Sequence, residues 1–210
     1  MARIEDLRAD LGRALALENE TERKLAVVAV VDRAVQQIDV RAIVIGGLAV
    51  EFWTRGAYST ADIDLYLPNG PAVMQLLAQL GFERRGRHYV IDDVFLEAPG
   101  PSFPGESEEV YEVTLRSEFV VPVLSVADVL VDRLHQFVGG GHADVAEQAV
   151  ALLAAEELDR EQLERRVLEE RLRTALQAIE RLAERARAGE RVDQWELHEL
   201  ARELRGTAID

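Results

Sequence analysis

Two aspartates, Asp62 and Asp64, stand one residue apart in the stretch Asp62-Ile63-Asp64-Leu65-Tyr66-Leu67. Successive side chains of a strand point to opposite faces. Both carboxylates therefore share one face, and Ile63, Leu65 and Leu67 share the other. Like charges held that close repel, so such a pair wants a cation between its members or a solvated edge. Carboxylate oxygens suit Mg²⁺, an ion commonly shared between protein carboxylates and a substrate's phosphates. Upstream, the apolar run Ile43-Val44-Ile45 reads as a buried strand, Gly46-Gly47 follows, and Leu48–Trp53 reads as a short helix. Glycines let a backbone come close to a ligand, and a helix N-terminus offers unpaired N–H groups to an anion. A Gly-Gly pair alone is usually a turn, and a lone Asp-x-Asp is usually a solvated strand edge. Their order, strand, Gly-Gly, helix, loop, Asp-x-Asp strand, points to binding of a divalent metal together with a phosphate.

This order resembles the DNA polymerase β-type nucleotidyltransferase superfamily, and within it the small bacterial branch of AbiEii-like and minimal nucleotidyltransferase-like proteins. The resemblance implies that Gly46 and Gly47 hold nucleotide phosphates and that Asp62 and Asp64 bind the metals, with two Mg²⁺ ions expected. Thr60 completes the Thr-x-Asp-x-Asp form common in that branch. Two features depart from the pattern. The spacer from Leu48 to Ala61 is long, and Tyr58 stands where many relatives carry an arginine. In the family a third acid lies on a later strand, where it completes metal binding or takes the acceptor's proton. Glu97, closing Val94-Phe95-Leu96-Glu97, matches it in order and context, with Asp93 as the alternative and an exposed strand-end acid as the plain reading. Relatives also carry a cation on the helix that follows the sheet, a place filled here by Arg133, with His135 a weaker choice.

The elements that must position these residues are legible as patterns. Ile4 to about Gln37 reads as two helices broken near Asn19-Glu20-Thr21, with Thr21 capping the second. Pro68-Asn69-Gly70-Pro71 marks a turn into a helix over 72–80, ended at Gly81. Phe82-Glu83-Arg84 and His88-Tyr89-Val90 flank a turn at Arg85-Gly86-Arg87, and Ile91-Asp92-Asp93 turns the chain again. Pro101–Gly105 reads as a loop beside the carboxylates. Val110–Val121 reads as a hairpin turning at Arg116-Ser117-Glu118. Ser125 and Asp128 make a capping-box-like start for a helix to about Val138, closed by Gly139-Gly140-Gly141. Further helices are expected over 144–155, from a capping-box-like start at Asp159 with Gln162 along one apolar stripe to Ala186, and over 192–204. His88, His135, His142 and His198 show no metal-ligand spacing, and an Arg191–His198 pair is ordinary for Arg-rich helices.

Composition bounds the rest. The chain has 210 residues, 48% hydrophobic and 30% charged, with a net charge of −15. That charge argues against a broad nucleic-acid-binding surface, which needs clustered Lys and Arg. Lys24 is the only lysine, and cysteine is absent, excluding disulfides and thiolate metal sites. The first residues lack the apolar core of a signal peptide, and no apolar run reaches membrane-spanning length, so a cytoplasmic location and no membrane partner are expected. The expected fold is α/β (α+β): a nucleotidyltransferase core with N-terminal helices over 1–122, its mixed sheet flanked by helices, then a helical C-terminal region over 123–210. The expected activity is Mg²⁺-dependent transfer of a nucleoside monophosphate from an NTP to an acceptor hydroxyl of a protein, a tRNA or a small molecule. A cognate protein partner, as in toxin–antitoxin pairs, fits the same resemblance. The competing expectation is a non-catalytic binding module that keeps the fold as a protein partner.

Overall fold

A computed structural model describes residues 2–98, 109–191 and 193–207. The chain forms two compact units, Met1–Phe52 with Ser59–Leu124, and Trp53–Tyr58 with Ser125–Asp210. The first unit is mixed α/β. Its helices are α1 (Ile4–Leu15), α2 (Glu20–Val35), α3 (Gly46–Trp53, whose last residue belongs to the second unit) and α4 (Pro71–Leu80). Its strands are β1 (Ile43–Val44), β2 (Ile63–Tyr66), β3 (Glu83–Arg85), β4 (His88–Ile91), β5 (Val94–Glu97), β6 (Val110–Thr114) and β7 (Val120–Leu124). Among the described residues these strands make one sheet in the order β3-β4-β5-β2-β1-β7-β6. The pairs β1/β7 and β2/β5 are parallel, and the other neighbours are antiparallel.

The alternation read from the sequence decides which way β2 faces. Ile63, Leu65 and Leu67 are fully or almost fully buried, while Asp64 and Tyr66 are half-buried. Burying each such aliphatic side chain contributes about 1.5–3 kcal/mol, so a one-residue slip that exposed them would be costly. Helix α2 is buried along nearly its whole length from Lys24 to Val35, including Asp32. Asp32 accepts from the Arg41 guanidinium and from the Ala42 N–H at 2.7 Å, which fixes the chain as it enters β1. The cap of α2 differs from expectation. Asn19, not Thr21, accepts from the Glu22 N–H at 2.8 Å, and the Thr21 hydroxyl turns instead to Glu51. Asn at the N-cap does what a Thr would do, and it frees Thr21 for the interior.

The second unit is helical: α5 (Val126–Gly140), α6 (Ala143–Leu152), α7 (Arg160–Glu169), α8 (Arg173–Arg187) and α9 (Gln194–Thr207). Ser125 caps α5 and Asp159 caps α7, as their sequence signatures predict. Gly139 and Gly140 continue α5, and only Gly141, at φ 70°, ends it. The apolar stripe from Leu163 to Ala186 is two helices rather than one. Arg171, at φ 56°, turns the chain between α7 and α8, and Leu172 packs inward on the far side of the turn. Periodicity survives such a break because both helices bury the same kind of face. The loop expected at Pro101–Gly105 and the start of the last helix at Val192 lie outside the described residues. No described helix is long and apolar enough to cross a membrane.

Candidate functional site

The turn between β1 and α3 and the start of β2 are bound to one another. The Ile45 N–H donates to the Asp64 carbonyl at 3.1 Å, and the Gly47 N–H donates to Asp64 Oδ2 at 3.0 Å. The carboxylate thus sits at the amino end of α3, where the helix dipole favours negative charge. Glycine is required here for two separate reasons. Gly46 lies at φ +58°, and a Cβ on it would fall 2.3 Å from Asp64 Oδ2. A Cβ on Gly47 would fall 2.9 Å from the Thr60 hydroxyl. Asp64 and Thr60 therefore close on the Gly-Gly turn from two sides, and Thr60 Oγ also reaches the Asp62 carbonyl at 3.4 Å.

The loop carrying Thr60 is held from behind by a buried ion pair. Lys24 Nζ donates to Glu51 Oε2 at 2.8 Å and to the Thr60 carbonyl at 2.7 Å. Glu51 also accepts from the Thr60 N–H at 2.9 Å and from the Thr21 hydroxyl. Burial alone would push the Glu51 carboxyl up. The hydrogen bonds from Lys24, Thr21 and the Thr60 backbone outweigh it and hold the pKa below the ordinary value. Both backbone polar groups of Thr60 are thus pinned by one pair of charges. The sequence carried a signal for this: a lysine at the head of the buried apolar run over 25–31 must find a counter-charge.

The remaining side chains come from register. In β2/β5 Asp64 pairs with Glu97, and in β4/β5 His88 pairs with Glu97. Directly paired residues share a face, so His88, Glu97 and Asp64 form one row across three adjacent strands, while Asp62, expected inside the strand, bends just before β2 and still comes beside Glu97 and His88. The row on the opposite face, Tyr89, Leu96 and Ile63, is buried. Ligand-capable atoms of Asp62, His88 and Glu97 all lie within 4.8 Å of one another. Glu97 is 17% exposed and lies 3.4 Å from the Arg87 guanidinium and 3.4 Å from His88 Nε2. That Nε2 is shut off from solvent and has no hydrogen-bond partner among the described residues. Phe95, on the same face, sets its ring edge-to-face with His88 at 6.3 Å.

The structure thus brings Gly46, Gly47, Thr60 and Asp64 into one set of contacts, and Asp62 and Glu97 into another beside it. His88 was not singled out by spacing, yet it joins the second set. The signal was there in the turn. Asp92-Asp93 is a two-residue hairpin loop with Asp92 at φ 49°, and a two-residue loop fixes register by counting outward, which puts His88 opposite Glu97. Asp93 is exposed and pairs instead with Arg23 at 3.1 Å. Arg133 lies in the second unit, on α5, where it donates to Gln148 Oε1 at 3.0 Å and to Asp132. His135, on the same helix, lies 3.3 Å from Glu170.

The cluster of Asp62, His88 and Glu97 fits a divalent cation. Ligand atoms about 2.1 Å from a common ion lie at most about 4.2 Å apart, so small side-chain rotations close a group already within 4.8 Å. Two carboxylates and an imidazole nitrogen are ordinary donors for such ions.

No family model matches the chain, and no curated protein matches it. Solved structures do. An antigenic nucleotidyltransferase-like protein from Paracoccidioides brasiliensis matches with a TM-score of 0.52 at 14% identity, over 74% of this chain and 91% of the other. The antibiotic-resistance factor ANT(2'')-Ia matches with a TM-score of 0.48 at 15% identity, over 86% of this chain and 100% of the other. The first likeness identifies the fold as that of a nucleotidyltransferase.

Proposed function

We propose that this protein transfers a nucleoside monophosphate from an NTP to an acceptor hydroxyl and releases pyrophosphate. The observation that carries the reading is the row His88–Glu97–Asp64 with Asp62, set beside a glycine turn at a helix N-terminus, on a nucleotidyltransferase fold. In the reaction the acceptor oxygen bonds to the α-phosphorus while the bond from that phosphorus to the β-phosphate oxygen breaks. The bonding pair leaves with pyrophosphate, and the hydroxyl proton passes to a base. Asp62, Asp64 and Glu97 would hold divalent metal, two Mg²⁺ ions being the expectation for this resemblance. A metal bound there neutralises charge on the transferring phosphoryl group.

The chain's own groups do the rest. The Gly46-Gly47 turn would position the triphosphate through backbone N–H groups at the start of α3, and its missing Cβ atoms leave room for Asp64 and Thr60. Thr60 shapes the wall of that turn, and the Lys24–Glu51 pair keeps Thr60 in place. Glu97, mostly shielded from solvent and beside the Asp pair, would share the metal or accept the acceptor's proton. Arg133, the cation expected on the helix after the sheet, donates to Gln148 and Asp132.

Calorimetry with each NTP in the presence of Mg²⁺, on the wild type and on Asp62→Asn/Asp64→Asn, tests the reading. Metal-dependent NTP binding that the double variant loses is the expected result, and it names the donor. Absence of binding by every NTP would replace the enzyme with a binding module that keeps the fold.

A further inference from the structure

We infer that His88 is itself a metal ligand, and that the site therefore prefers a first-row transition ion such as Mn²⁺ over Mg²⁺. The inference rests on the reading that these side chains hold metal, and it names which kind. A site built from carboxylates alone is an all-oxygen site, the type that suits Mg²⁺, which is hard and dehydrates reluctantly. Here the three side chains whose ligand atoms converge are Asp62, Glu97 and His88. One of the three donors is thus an imidazole nitrogen, a donor that favours transition ions over Mg²⁺.

Three independent features place that nitrogen in the site rather than in a structural role. Register sets His88 directly across from Glu97, on the face that carries the acids. The ring is held at its orientation by the edge of Phe95. Its Nε2 is closed to solvent without a hydrogen-bond partner among the described residues, and it lies 3.4 Å from Glu97 Oε2. A buried polar atom without a hydrogen bond is unfavourable, and a metal bond to the imidazole nitrogen would relieve it. The exposed Arg87 guanidinium near Glu97 partly offsets the carboxylates from outside and leaves the inner edge of Glu97 to face His88.

The test is run on the full chain with the metal alone and then with metal and NTP. Calorimetry should show Mn²⁺ binding more tightly than Mg²⁺. In His88→Gln the Mn²⁺ affinity should fall roughly ten- to a hundredfold, the range that disturbing a ligand histidine's surroundings already produces, with Mg²⁺ changed by less than about threefold. Pulsed electron paramagnetic resonance of bound Mn²⁺ in wild-type protein carrying ¹⁵N-histidine should show coupling to one nitrogen. That measurement needs no variant, so a misfolded His88→Gln cannot rescue or sink the inference. Equal affinity for the two ions, Mn²⁺ binding without nitrogen coupling, or no metal binding at all would overturn it. Metal-dependent NTP binding without nitrogen coupling would leave the nucleotidyltransferase reading standing and remove only His88. Nitrogen coupling without NTP binding would do the reverse.

Discussion

Asp128 in the helical unit and Asp62 in the sheet unit are both shielded aspartates, and their surroundings are opposite in kind. The Asp128 side chain is wholly buried and fully answered. Ser125 Oγ donates to it at 2.6 Å, Gln162 Nε2 at 3.1 Å and Arg166 Nε at 2.7 Å. The arginine in turn reaches Glu169 and Glu170. Asp62 instead converges with a second acid, Glu97, and with a histidine nitrogen that lacks a hydrogen-bond partner. In one region the charge is closed by the chain itself, and in the other Arg87 meets Glu97 only from outside and the rest is left for something else to close. Closed polar networks belong to architecture, because a buried charge must be paired to persist. An arrangement that gathers acids around an unmatched nitrogen makes physical sense when a cation completes it.

The contrast can be broken most forcefully at its closed end. Asp128→Ala leaves the buried Arg166 guanidinium without its main partner and should cost about 3–5 kcal/mol of stability in urea denaturation. Replacing both partners by apolar residues, Asp128→Leu with Arg166→Met, should recover most of that loss. A cost below about 1 kcal/mol for the single variant would deny the network its structural role. Next comes Glu51→Gln, expected to cost about 2–3 kcal/mol because Lys24 stays buried beside a neutral amide. Here pH offers a check on sign. The folded-state pKa of Glu51 is lowered, so its contribution is complete above the unfolded-state value, about 4.3. It is lost as pH falls through the lower folded-state value. Stability of the wild type should therefore fall toward that of Glu51→Gln in acid, and a gap that widens on acidification would contradict the assignment.

Gly46→Ala tests the turn. Its left-handed backbone costs a side chain about 1–2 kcal/mol, and the new Cβ would collide with Asp64 Oδ2. A modest loss of stability should accompany a complete loss of metal-dependent NTP binding in calorimetry. The smallest effect should have the opposite sign. Asp62→Asn relieves repulsion within the cluster and should raise the metal-free melting temperature, by an amount equivalent to at most about 1 kcal/mol. Added Mn²⁺ should then reverse the order, because the wild type alone gains stability from binding. An Asp62→Asn variant that is destabilised in the chelator-treated state would show that Asp62 is architectural, like Asp128.

How much of this the sequence carried depended on the range of the interaction. The facing of β2, the Gly-Gly turn before α3, and the caps at Ser125 and Asp159 were all legible, because each is decided within a few residues by sterics, alternation or a local hydrogen bond. The cap at Asn19 and the turn at Arg171 were missed at the same range. Two cap-capable residues, Asn19 and Thr21, compete there on equal terms, and an apolar stripe reads the same through one helix or two. Asp62, Asp64, Gly46, Gly47 and Thr60 could be named from one short stretch. His88 and Lys24 could not be placed that way. His88 reaches the acids only because the two-residue turn at Asp92-Asp93 folds β4 onto β5 and β5 lies parallel to β2. Lys24 reaches Thr60 only because α2 packs its buried face beside Glu51. The sequence determined which residues can do chemistry and which way their own strands face. Beyond the single hairpin that sets His88 opposite Glu97, tertiary structure decided which of them meet, because strand partnership and helix packing join residues whose separation along the chain leaves no periodic trace.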